Sequence, residues 1–141
     1  MKSYGQKVSK PWGYELIFTP SNSPVVGKIL HLDAGKRFSY QYHDKKKETL
    51  CLLRGEAKII INGKIQKMKP LKGYFIPPMM KHRCWAISDC DILEASTKEE
   101  GNTVRLEDDY NRPTETEELR KLPNRGWKND CPKKSKKYFM V

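Results

Sequence analysis

The apolar residues of this chain arrive in short runs, and each run is cut off by Gly, Pro or a polar turn before a helix could complete itself. "VVGKILHL" (25–32) alternates and is rich in β-branched residues, and "DAGK" then turns the chain. "FSYQYH" (38–43) places aromatic and polar side chains on opposite faces, and "TLCLL" (49–53) is apolar throughout, the pattern of a strand covered on both sides. The sharpest signal is "AKIIINGKIQKM" (57–68), where Asn62-Gly63 between β-branched runs predicts a type I′ hairpin. "KGYFIPP", "CWAIS" and "CDILEAS" supply three more strands. Many short strands at even spacing predict an all-β sandwich or barrel. One segment, "ETEELRKL" (115–122), reads as a helix, with Thr114 as its cap and Glu115, Glu117 and Glu118 favouring the dipole in its first turn. The 141 residues suit one domain that buries a core without staples. Its expected divisions are an N-terminal arm (1–24), a barrel (25–112) and a C-terminal helix with a basic tail (113–141).

The net charge of +11 is uneven: residues 120–141 hold eight Lys and Arg against one Asp, which is +7 of the total. A basic tail can bind nucleic acid, but no nucleic-acid motif accompanies it, and a solvated terminus is the expectation. No run is long and apolar enough for a transmembrane helix, and the first residues lack the apolar stretch of a signal peptide, so a cytoplasmic protein with reduced thiols is expected. Cys51, Cys84, Cys90 and Cys131 show no Cys-x-x-Cys pair; Cys51 reads as a buried small hydrophobe.

Side chains two apart on a strand share a face. Gln41 and His43 therefore project together, with Ser39 beside them and Tyr40 and Tyr42 opposite. "DKKK" turns the chain and Glu48 enters the next strand, where antiparallel pairing would set it beside His43. His82 follows "IPPMMK", a stretch stiff enough to aim its imidazole at the same point. Amide oxygen, imidazole and carboxylate together suit a borderline divalent cation, zinc first, with manganese, iron, nickel or cobalt as alternatives. His31 falls outside this set and reads as a strand-face histidine.

The stretch from Gly35 through Gln41, His43 and Glu48 to Gly55 resembles the first cupin motif, with Gln41 at the first histidine position. "IPPMMKH" resembles the end of the second motif, with Met79 where a glycine usually sits. "KPWGYELIF", "GKRFSYQYH", "IPPMMKHR" and "VRLEDDYNR" more narrowly resemble the cupin domain of type II mannose-6-phosphate isomerases. That resemblance implies a jelly-roll β-barrel holding a divalent metal on Gln41, His43, Glu48 and His82, and a reaction that interconverts an aldose phosphate and a ketose phosphate through an enediol. Lys46 stands where the family has arginine, and Thr49-Leu50 where it has His-Trp.

On this reading Lys46 and Glu94 are the proton-shuttle candidates. Arg37, Arg83 and Arg105 are candidates for holding a phosphate or sugar hydroxyls, and Trp12 and Tyr14 for stacking on a sugar face. Glu94 lies in an apolar strand and needs a partner there, and Asp109 is expected to pair with Arg112 or Arg105. The rival reading is a cupin that binds a sugar or nucleotide-sugar without turning it over. Gln41 argues against an iron dioxygenase, whose sites draw on three histidines. A small-molecule sugar or sugar phosphate, and a second copy in a homodimer, are the expected partners.

Overall fold

The computed structural model describes residues 1–126; the expectations for the tail beyond residue 126, Cys131 included, lie outside the described residues. Eleven strands form an antiparallel two-sheet sandwich, the all-β jelly-roll architecture expected. They are β1 (Gln6–Lys10), β2 (Gly13–Ile17), β3 (Val25–Leu32), β4 (Tyr40–His43), β5 (Glu48–Arg54), β6 (Ala57–Ile61), β7 (Lys64–Lys67), β8 (Gly73–Ile76), β9 (His82–Ala86), β10 (Cys90–Thr97) and β11 (Thr103–Glu107). The larger sheet runs β1-β2-β3-β10-β5-β8 and the smaller β11-β4-β9-β6-β7. The Asn62-Gly63 turn joins β6 to β7 with both residues at positive φ (48° and 84°), as a type I′ turn requires.

Alternation decides what faces inward. Leu30, Leu32, Leu50, Leu52 and Ile92 from the larger sheet meet Ile59, Cys84 and Ala86 from the smaller, each at most 4% exposed. Fully burying one of the leucines or isoleucines contributes about 1.5–3 kcal/mol. At one end of the sandwich the inward positions turn polar: Lys28, His43, Glu48, His82 and Glu94 are all buried.

Several expectations are corrected. The arm assigned to residues 1–24 contributes β1 and β2 to the larger sheet, in register with β3. "TLCLL" is covered on one face only: Leu50 and Leu52 are buried, whereas Cys51 is half-buried and Leu53 is 40% exposed. The helix α1 is shorter than expected, Glu117–Arg120, and its cap is Thr116, whose hydroxyl accepts from the Leu119 N–H. Glu115 instead bridges to Thr103 of β11. Asp109 pairs with Arg37, and Arg112 with Asp108.

Candidate metal centre

His43 ends β4 and His82 begins β9, both in the smaller sheet, whereas Glu48 begins β5 in the larger one. The 44–47 turn therefore crosses between sheets, and Glu48 faces His43 across the interior rather than along a shared ladder. Ligand atoms of His43, Glu48 and His82 lie within 4.8 Å of one another, and all three residues are buried. The loop before His82 is tied to the site by the Met79 N–H, which donates to the His43 carbonyl at 2.8 Å.

The hydrogen bonds fix what these atoms can be. His82 Nδ1 lies 2.9 Å from the Met80 carbonyl, which only accepts, so Nδ1 carries a proton. In the neutral ring His82 Nε2 then presents a lone pair 3.0 Å from Glu48 Oε2. His43 Nδ1 meets the Thr103 hydroxyl at 2.9 Å, and its Nε2 is buried with no hydrogen-bond partner among the described residues, 3.4 Å from the same carboxylate. Burial, followed by the neighbouring Lys46 charge, pushes His43 toward its neutral form. Burial raises the Glu48 carboxyl, but the Lys46 charge, the largest influence opposing it, helps hold it well below the ordinary range. Imidazole nitrogens facing an ionised carboxylate are satisfied by a proton or by a metal cation held between them. Two imidazoles and one carboxylate form a donor set that suits a borderline divalent metal.

Gln41 stands in register with His82 and lines the adjoining cavity. Its Oε1 accepts from the Ser39 hydroxyl at 2.6 Å, which orients the amide and leaves the second lone pair for a metal. Lys46 Nζ reaches Glu94 at 3.0 Å and Glu48 at 3.3 Å. Burial pulls Lys46 down, but Glu94, Glu99 and Glu48 together raise it well above its usual value, so it is a fixed cation. Burial pushes the Cys84 thiol well up, so it supplies no thiolate.

The cavity beside the centre has a volume of about 60 Å³. Of the residues picked from sequence, Trp12, Arg105, Lys46 and Glu94 line it together with Gln41, His43 and Glu48. Arg37, Arg83 and Tyr14 lie elsewhere. Arg37 forms a two-bond pair with Asp109 and stacks on Trp85; Arg83 bonds Glu107 and the Phe38 carbonyl; Tyr14 stacks on His31 on the outer face. Lys10, Glu15, Glu99, Glu115 and Arg125 also line the cavity, and sequence reasoning gave none of them a place there. Charges in strands normally point outward, and no local pattern signals that these point in. The "KPWGYE" motif was the one available pointer to Lys10 and Glu15.

A family model described as mannose-6-phosphate isomerase C-terminal matches residues 1–111. No curated protein matches the sequence. Among solved structures, KdgF from Halomonas sp. superposes with a TM-score of 0.60 at 15% identity, over 67% of this chain and 86% of that one. An RmlC-like cupin from Shewanella frigidimarina gives 0.60 at 14% identity, over 67% and 85%. The capsular polysaccharide assembling protein CapF from Staphylococcus aureus gives 0.64 at 14% identity, over 76% of this chain and 33% of that one. At such identities the likeness establishes the cupin fold.

Proposed function

The chain belongs to the mannose-6-phosphate isomerase C-terminal family, and from that premise we propose that it is a metal-dependent cupin that interconverts an aldose and a ketose, or their phosphates. The observation that carries the reading is the meeting of two imidazole nitrogens and an ionised carboxylate in one buried place. His43, Glu48 and His82 would hold the metal, with Gln41 as the fourth donor. A divalent ion so bound supplies Lewis acidity toward a substrate carbonyl.

The remaining steps fall to the chain's own groups. Lys46, locked between Glu48 and Glu94, is a charge that stabilises developing negative charge rather than a base. Glu94, the buried carboxylate on the far side of Lys46, is the candidate to carry a proton between neighbouring carbons. Trp12 and Phe38 supply apolar wall to the cavity where that transfer would take place.

The test is elemental analysis of the purified protein, followed by NMR of aldoses and aldose phosphates with the metal found. The expected outcome is a stoichiometric divalent ion and a ketose product that disappears on chelation or in His82→Ala. Product formation at full rate by metal-free protein sinks the mechanism. The rival, a cupin that binds a sugar without converting it, draws support from Lys46 being tied up as a cation. Thermal stabilisation by a sugar with no product would favour it.

We also propose a second copy of this chain as partner. The outer face of the larger sheet carries Ile29, Leu93 and Cys51 in one register row, with Phe18 (41% exposed), Phe75 (59%) and Val25 (62%) near it. Six strands about 4.8 Å apart and about 20 Å long give roughly 500 Å², most of the ~800 Å² that a standard interface buries per partner. These positions are uncharged in a chain of net charge +11, and the charged group His31, Asp91 and Arg54 stands farther along the same face. Light scattering should give a dimer that Leu93→Lys dissociates; a wild-type monomer at micromolar concentration refutes it.

A further inference from the structure

A groove of about 660 Å³ lies against the cavity of about 60 Å³ beside the metal centre. Val8, Ile17 and Val26 of the larger sheet form its apolar side, and Leu122 and Pro123 face them. Lys28, Glu99 and Arg125 line both hollows, so they are the wall between them. This wall is also where the cavity comes nearest to solvent. The Glu99 and Arg125 side chains are 16% and 13% exposed, whereas the other charged groups around the cavity are at most 10% exposed.

The three wall residues differ in how they are held. Lys28 sits within β3, paired on both sides, and Glu99 follows β10. Arg125 rides on the segment 117–126, whose hold on the sandwich is slight. The helix α1 buries none of its residues, and Leu122 is 50% exposed. Among the described residues, every backbone–backbone hydrogen bond of residues 120–126 stays within 116–126. Side chains make the outward ties. Glu117 accepts from the Gly101 N–H, Arg120 reaches Gly101 and Glu115, and Arg125 reaches Glu15, Glu99 and Glu115 at 3.1–3.5 Å. Arg125 itself holds φ 54°, in the left-handed region, so the closed position is strained at the residue that closes it.

We propose that the groove is the entrance to the metal centre and that Arg125 is its gate. Substrate passes when the 117–126 segment swings out and Arg125 leaves its three carboxylates for water. Lys28 and Glu99 stay behind as the fixed posts. The inference rests on the reading of the cavity as the substrate site.

Trp12 lines the cavity and is 4% exposed, so its fluorescence reports what enters. A Trp85→Phe, Trp127→Phe background leaves it the sole indole, and acrylamide, a small neutral quencher, is the probe. Quenching should be weak in that background. Arg125→Met should raise the quenching constant several-fold at a temperature where circular dichroism shows the sheets intact. Arg125→Lys keeps one charge and loses the fork that spans three carboxylates, so it should fall between the two, and it carries the test where the methionine variant does not fold. Ile59→Ala opens the core away from both hollows and lowers stability without touching the gate, so its quenching should match the background. Quenching requires neither metal nor turnover. A protein without metal or isomerase activity therefore sinks the proposed reaction, and the gate is still judged by Trp12. Quenching unchanged in both Arg125 variants, or raised as much by Ile59→Ala, overturns the proposal.

Discussion

At the scale of single residues, the centre is built from contacts that leave little freedom. A backbone carbonyl sets the His82 tautomer, a threonine hydroxyl braces His43, and a serine hydroxyl orients Gln41. Such outer contacts tune a metal site nearly as much as its ligands do. Glu48→Gln keeps the shape and removes the charge that the two imidazole nitrogens face. It should lower metal affinity at least ten-fold, read by competition with a chromogenic chelator, and unchanged affinity would remove Glu48 from the ligand set. Met79 shows a different economy. It sits at φ 72°, in the left-handed region, where the motif it resembles has glycine, and its side chain is 58% exposed. The left-handed conformation costs a non-glycine residue about 1–2 kcal/mol, while glycine loses about 0.5–1 kcal/mol through its freer unfolded chain. Met79→Gly should therefore stabilise the protein by about 0.5 kcal/mol, seen as a higher urea midpoint at constant m-value. Metal affinity should not change, because the Met79 N–H to His43 bond belongs to the backbone.

At the scale of elements, legibility follows the range of the cause. The β6–β7 hairpin is written locally by Asn62-Gly63, and the β4 motif by residues two apart, so both are plain in the sequence. The β1–β2 pair is not, because its inward positions include Lys10 and Glu15, which break the expected alternation of apolar and polar residues. The partners of Glu15, Lys28 and Arg125, come from distant parts of the chain. The same blindness made Arg120 and Arg125 look like part of a solvated tail. In the fold they reach inward to Glu15, Glu99 and Glu115. The helix α1 buries none of its own residues, so the segment that closes this end of the sandwich is held by charge more than by apolar packing. Removing one member of a buried ion network strands the others, typically at about 3–5 kcal/mol. Arg125→Met should cost that much in chemical denaturation, and amide exchange should quicken first in residues 117–126. A loss below about 0.5 kcal/mol, the level of an ordinary surface change, would show that the network does not hold the segment.

At the scale of the whole molecule, the charge network sets how the fold responds to acid. Burial alone would raise the Glu15 carboxyl, but Lys10, Lys28 and Arg125 outweigh it and bring it down to about 2. Glu115 is likewise raised by burial and pulled down to about 2, chiefly by Arg125 and Lys10. Both folded values lie below the ordinary carboxylate value of 4.5. The unfolded chain therefore binds these protons first as pH falls, and stability complete above pH 4.5 drains away between about 4.5 and 2. A shift of that size corresponds to roughly 3 kcal/mol for one such carboxylate, and because the two share Arg125 and Lys10 their contributions do not add. Lys10 acts with the opposite sign. Burial lowers it to about 8, so the cost of its charge is fully present below pH 8 and is relieved as pH rises from there toward 10.5. Urea midpoints measured from pH 2 to pH 7 should fall steeply below 4.5 in the wild type. Glu115→Gln should start lower at pH 7 and lose much of that slope, since its amide has no proton to take up. Parallel pH profiles for the two proteins would mean that the acid limb belongs to other carboxylates, and that the closed end of the sandwich is not what fails first.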